Sequence, residues 1–278
     1  MKVRKVVRAL PFLMTLTAGC LPDFGDHSAC APPEDPTPES SELVSFSPEL
    51  FGFLAPERLE VERRGERLFV EHDMALTPSS IVTTGKLWDP REIPYRIHPD
   101  LPSAERVREA THAWEKATEG LLHFREIAPG EVPPPDFLEF IAADGCWSYV
   151  GRVGGRQEIS LARECGRRAS VHEIGHALGL WHEQSRADRD EYVSIRWCNI
   201  EDGKAHNFRK RKQGASDVGP YDYASIMHYP SGAFSKNRRN TIQSITATPV
   251  FPWSNGRISE GDRRAIGQLY GPRDRARR

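Results

Sequence analysis

Three histidines and two glutamates fall within SVHEIGHALGLWHEQSR, residues 170–186, at a spacing that suits a metal. His172 and His176 lie four apart, which on a helix puts both imidazoles on one face, aimed at one point. Zinc accepts nitrogen ligands tetrahedrally, and its catalytic sites take three protein groups and keep one position for water. His182 can be the third ligand, provided that the helix ends and the chain turns back. Gly179 stands where that break is needed, because glycine takes up positive φ without steric cost. Glu173, beside the first ligand, is then the candidate general base toward a water that zinc makes acidic. Ile174, Ala177, Leu178 and Trp181 form the buried side of the same helix. Ser170 and Glu173 imitate a capping box, which is rejected because it would spend Glu173 on the backbone and leave the ligands astride a fraying first turn.

Other elements must hold this helix. REIPYRIHP reads as a strand whose Pro94 favours an edge or a strand start. A helix is expected over 103–119, with Val107, Ala110, Trp114 and Ala117 on one stripe, Ser103 as N-cap and Gly120 as stop. LLHFREI, FLEFIA and QEISL read as further strands. After the histidine helix the chain is irregular until SEGDRRAIGQLYG, a closing helix capped by Ser259 with Ile266 and Leu269 inward. Strands early and helices late give an α+β class. Residues 50–84 hold short apolar runs too few for a core of their own and are expected to pack on the region after them. Residues 21–48, crowded with Pro, Ser and acidic residues, read as a flexible tether.

With 278 residues the chain has room for a large core and a cleft. A net charge of −1 gives no overall attraction to nucleic acid. The basic run Arg209, Lys210, Arg211, Lys212 and the Arg-rich C-terminus read as solvated faces. At the other end a basic stretch, Lys2 to Arg8, precedes apolar Ala9 to Leu16 and then Ala18, Gly19 and Cys20: an export signal too short to span a membrane. The small pair before Cys20 resembles a bacterial lipobox, with Thr17 as a departure, so the chain is either a lipoprotein anchored through Cys20 or freely secreted. Export makes Cys30, Cys146, Cys165 and Cys198 disulfide candidates, with three pairings that spacing alone does not decide between.

HEIGHALGLWHEQSRADRD resembles the extended zinc signature of the astacin family of metalloendopeptidases, in the metzincin clan, with Glu183 after the third histidine pointing to astacins. SIMHY, Ser225 to Tyr229, is similar to the clan's Met-turn, and CWSYVGRVGGRQEISLARECG to the family's edge-strand and disulfide-loop segment. The resemblance implies a metzincin-type fold. A twisted, mainly antiparallel-edged sheet and the active-site helix would form an N-terminal subdomain, and the closing helix would end an irregular C-terminal one. It implies one Zn2+ per chain on His172, His176 and His182, Glu173 and Tyr229 as catalytic residues, and a Cys146–Cys165 disulfide. QEISL would bind peptide by strand addition. The family's long disulfide has no partners here, so Cys30 and Cys198 pair with each other or remain free.

The resemblance also implies an inhibitory prosegment whose Asp occupies zinc, in a pattern like F-x-G-D. FVEHDMAL is the nearest fit and gives Asp73, with His72 in place of glycine and Val70 in place of the aromatic. Phe24 to Asp26, Cys30 or no switch at all are the alternatives. After a cut near Thr84 the new N-terminus would turn toward Glu183. The expected organisation is signal 1–19, tether 20–48, prosegment 49–84, catalytic domain 85–272 and basic tail 273–278. The expected protein is a monomeric endopeptidase acting on protein or peptide, touching membrane only through a lipid on Cys20. The alternative is a non-catalytic surface lipoprotein that keeps zinc for structure, for which Glu173 would have no use.

Overall fold

The computed structural model describes residues 41–45, 58–76, 87–211, 216–246 and 256–271. The export signal, Cys20, Phe24 to Asp26, Cys30, Thr84 and the basic tail lie outside them.

Nine strands form one sheet. Four come first in the chain: β1 (Ser41–Ser45), β2 (Arg58–Arg64), β3 (Arg67–Val70) and β4 (Met74–Leu76). Then come β5 (Ile93–Ile97), helix α1 (Glu105–Ala117), β6 (Phe124–Glu126), β7 (Phe137–Ile141), β8 (Cys146–Tyr149), β9 (Arg156–Leu161) and helix α2 (Arg167–Ala177). A two-stranded sheet of β10 (Val193–Ile195) and β11 (Ile242–Ser244) follows, and helix α3 (Glu260–Tyr270) closes the described chain. The order in the large sheet is β1-β2-β3-β4-β8-β9-β7-β5-β6. Strands β9, β7, β5 and β6 are parallel, and β8 pairs antiparallel with β9 at the border of this block. The class is α+β, as the sequence predicts.

Three expectations change in detail. Strand β5 lies between β6 and β7, so Pro94 is tolerated as the second residue of an inner strand rather than at an edge. Ser103 does not cap α1: it has φ +58°, Ala104 holds the N-cap position, and no side chain bonds there. QEISL, within β9, is enclosed by β7 and β8, so the edge open to strand addition belongs to β8. Strand β4 occupies that edge in parallel register, Met74 opposite Ser148 and Ala75 opposite Tyr149. Residues 58–76 thus pack on the region after them as expected, while β1 puts a strand inside the stretch read as tether.

Trp114 of α1 is fully buried against α2, its indole N–H donating to Val171 O at 2.9 Å. Around it lie Leu138, Phe140, Ile159, Leu161, Ile174, Met227 and Ile266. A second core, with Phe208, Tyr221, Tyr229 and Ile242, lies in the irregular half. Arg106, itself buried, donates to Leu161 O (2.7 Å), Ala162 O (3.0 Å) and Cys165 O, gathering the loop that the Cys146–Cys165 disulfide closes. That pairing is the one the family resemblance implies. Cys198 is disulfide-bonded. Among the described residues no helix is long and apolar enough to cross a membrane.

Candidate metal centre

Helix α2 starts at Arg167, so the histidine pair lies in its middle and last turns, clear of the fraying end. Ser170 sits inside the helix and donates to Gly166 O, which removes the false capping box. The helix then ends in a Schellman motif: Leu180 N donates to Gly175 O (3.0 Å) and Gly179 N to His176 O (2.7 Å), with Gly179 at φ +104°. The reversal brings His182 back beside the other two.

Each imidazole spends its Nδ1 proton on an oxygen. His172 donates to Ile226 O, His176 to Leu180 O and His182 to Glu71 Oε2, all at 2.8 Å. Carbonyls and carboxylates only accept, so each Nδ1 carries a proton and each Nε2 is the atom turned inward, where it can serve as a ligand. His172 Nε2 is 3.1 Å from His176 Nε2 and 3.3 Å from His182 Nε2. Nitrogens about 2.0–2.1 Å from a tetrahedral zinc stand about 3.3 Å apart. Three convergent imidazole nitrogens at this spacing fit zinc, which takes such a donor set. Asp73 completes it: its carboxylate oxygens lie 3.4, 3.7 and 3.3 Å from Nε2 of His172, His176 and His182, and buried Oδ1 has no hydrogen-bond partner.

Glu173 is 2% exposed and its Oε2 is buried without a hydrogen-bond partner. Burial, reinforced by the Asp73 charge, pushes its carboxyl well above the ordinary range. Tyr229 lies with its ring 4.5 Å from that of His182, and its hydroxyl donates to Glu71 O at 2.6 Å. Met227 packs under α2 against Gly175. Its carbonyl accepts from Glu183 N (3.2 Å), tying the SIMHY turn to the loop that carries His182. From α3, Asp262 holds the same turn, accepting from Ser225 Oγ (2.6 Å) and Ile226 N (2.9 Å) while it completes the Ser259 capping box.

Glu183 accepts from Asp222 N at 2.7 Å and pairs with Arg186 at 3.4 Å. It lines a cavity of about 380 Å³ with Gly179, Asp222, Met227, Asp262 and Leu269. Burial pushes its carboxyl up to about 8.

Two residues of this region escape sequence reasoning. Glu71 is buried beside His182. Arg211, which its basic neighbours mark as solvated, is instead 10% exposed and bonds Glu71 Oε1 through Nε at 2.6 Å. No local pattern marks either, because each is explained only by the other, 140 residues away.

Known proteins share this arrangement of sequence and fold. The family model for Astacin, described as a peptidase family, matches residues 80–271. The chain is 40% identical over 188 residues to zinc metalloproteinase nas-13 of Caenorhabditis elegans, covering 66% of this chain and 40% of that protein. It is 39% identical over 201 residues to meprin A subunit beta of Mus musculus, covering 69% of this chain and 27% of that one. It therefore spans less than half the length of these relatives. Among solved structures, the hatching enzyme zinc-protease high choriolytic enzyme 1 of Oryzias latipes superposes with a TM-score of 0.57 at 35% identity, covering 73% of this chain and all of that one.

Proposed function

The chain belongs to the astacin family of peptidases, and on that premise we propose that it is an exported zinc metalloendopeptidase made in a latent form. The observation that carries this reading is the set of three inward Nε2 atoms at zinc spacing beside a buried carboxylate with an unpartnered oxygen.

His172, His176 and His182 would hold the zinc. When bound, the ion supplies Lewis acidity, polarising the scissile carbonyl and acidifying a water. Glu173, whose Oε2 has no other hydrogen-bond partner, would take a proton from the attacking water and return it to the leaving amine. Tyr229, once free of Glu71 O, donates its hydroxyl to the charge developing on the carbonyl oxygen. The peptide adds as a strand along β8, the edge that β4 covers in the latent chain. That the relatives are proteinases by name supports this reading over a non-catalytic zinc lipoprotein.

Residues 49–84 are the prosegment of a catalytic domain at 85–272, with Asp73 as the latency switch. Its proximity to all three Nε2 atoms supports it over Asp26 or Cys30. A cut within 77–86 releases it, and the new N-terminus enters the Glu183 cavity, adding a second cation to a buried carboxylate that Arg186 reaches at 3.4 Å. Residues 1–19 are the signal, 20–48 the tether and 273–278 a basic tail. A lipid on Cys20 would tether the chain to a membrane, a reading supported by the sequence alone. The protein works as a monomer.

Casein cleavage by the chain lacking residues 1–20, before and after limited proteolysis in 77–86 and with or without a chelator, tests these steps. Glu173→Ala is expected to lose activity about 100- to 10,000-fold while keeping zinc; wild-type activity in that variant would sink the mechanism. Asp73→Asn is expected to raise the activity of the uncut chain.

A further inference from the structure

The Glu71 carboxylate is fully enclosed, and orienting His182 uses only one of its three side-chain hydrogen bonds. Oε2 accepts from His182 Nδ1 (2.8 Å) and Ser185 Oγ (2.7 Å), and Oε1 from Arg211 Nε (2.6 Å). A carboxylate withdrawn from water persists only when paired and hydrogen-bonded. Here burial would push it up, and Arg211, His182 and Ser185 together hold it below the ordinary range. The receiving groups are built into the catalytic region. Arg211 N donates to Ser185 O at 2.6 Å, and its guanidinium lies 5.3 Å from the Trp181 ring centroid.

The backbone gives a second, independent sign. Glu71 and His72 have φ of +47° and +73°, and Asp73 N donates to Glu71 O at 2.9 Å, a three-residue turn centred on His72. Two successive residues other than glycine in this region are strained, and such strain lasts only where surroundings fix it. Arg64 fixes one side, bonding His72 O (2.7 Å) and Nδ1 (2.6 Å). Glu71 fixes the other, with its side chain on Arg211 and its carbonyl on Tyr229.

We propose that Arg211, Ser185 and the Nδ1–H of His182 form a carboxylate-binding site, separate from the metal position, that takes Glu71 as a second latch on the prosegment and holds it even without metal. The proposal rests on the assignment of residues 49–84 as a prosegment. Asp73 faces the metal and releases when coordination is lost. Glu71 instead bonds the outer nitrogen of His182 and a fixed guanidinium, contacts that need no ion.

Hydrogen exchange of the full chain after metal removal by chelator tests this, read by mass spectrometry on residues 68–76, with residues 137–141 as a control for global folding. Glu71→Gln, isosteric but uncharged, is expected to speed exchange at 68–76 about 10- to 100-fold, the weight of hydrogen bonds to a charged group, with 137–141 unchanged. Arg211→Gln is expected to do the same, and the double variant to add nothing further. If Arg211→Gln also speeds 137–141, Arg211→Lys, which keeps the charge but not the fork, takes its place. Wild-type exchange in Glu71→Gln, or additive effects of the two substitutions, overturns the latch. The exchange readout needs no catalysis, so an inactive protein would reject the peptidase reading while leaving this one to be judged separately.

Discussion

Gly175 lies between the first two histidines of α2, on the side facing the Met-turn. A Cβ there would meet Met227 Sδ at 2.6 Å, Trp114 Cζ2 at 3.3 Å and Met227 Cε at 3.5 Å. On an open helix Gly→Ala gains about 1 kcal/mol. Here something must move, and Trp114, held by its bond to Val171 O, has no space. Met227 must give way, and overpacking of this kind costs about 1–3 kcal/mol. Gly175→Ala is therefore expected to be neutral to about 2 kcal/mol destabilising, a fall of about 2–4 °C in Tm per kcal/mol for a domain of this size. In a Met227→Ala background, where the sulfur is gone, the same substitution should stabilise by about 1 kcal/mol. Urea unfolding of the four proteins in this cycle gives the coupling, expected at about 1–3 kcal/mol. A coupling below about 0.5 kcal/mol would refute the packing of Met227 against α2 at Gly175.

Further outcomes concern the supports of the site. Glu183 is raised to about 8 by burial, so between its ordinary pKa and about 8 the folded chain binds a proton that the unfolded chain has lost. Its contribution to stability therefore falls as pH rises through that window, by up to about 1.4 kcal/mol per unit. Glu183→Gln should flatten the pH dependence of urea-derived stability there, and an unchanged slope contradicts the assignment. Arg106→Met leaves the carbonyls of Leu161, Ala162 and Cys165 without their shared donor and should cost about 2–4 kcal/mol by chemical denaturation. Replacing Cys146 and Cys165 by Ser should cost about 3 kcal/mol for this short loop. Because both act on the same loop, their combined loss should fall short of the sum.

The metal ligands are legible in the sequence because they are local. Two lie on one helical face, and the third depends on a single glycine whose positive φ is its own signal. The closing helix is legible for the same reason, Ser259 and Asp262 forming its cap within three residues. Strand order is not, since nothing in LLHFREI or QEISL says which neighbour it takes, and the edge role falls to β8 rather than β9. Ser103 looks like a cap by residue type, but its φ of +58° removes it from that role. Asp73 is visible only through the family pattern. His72, the mismatch in that pattern, sits at φ +73° where a glycine would be unstrained, which makes the departure a strained version of the same turn. Arg211 misleads because a run of bases is normally wet, and only its distant partner reveals otherwise.

Asp262 reaches beyond the helix it caps. It bonds Ser225 and Ile226, and Ile226 O in turn accepts from His172 Nδ1, so two hydrogen-bond steps join the last helix to the first ligand. The metal position and the C-terminal helix then belong to one cooperative folding unit. Fraying or clipping of α3 would announce itself as lost zinc before it was seen as lost helix.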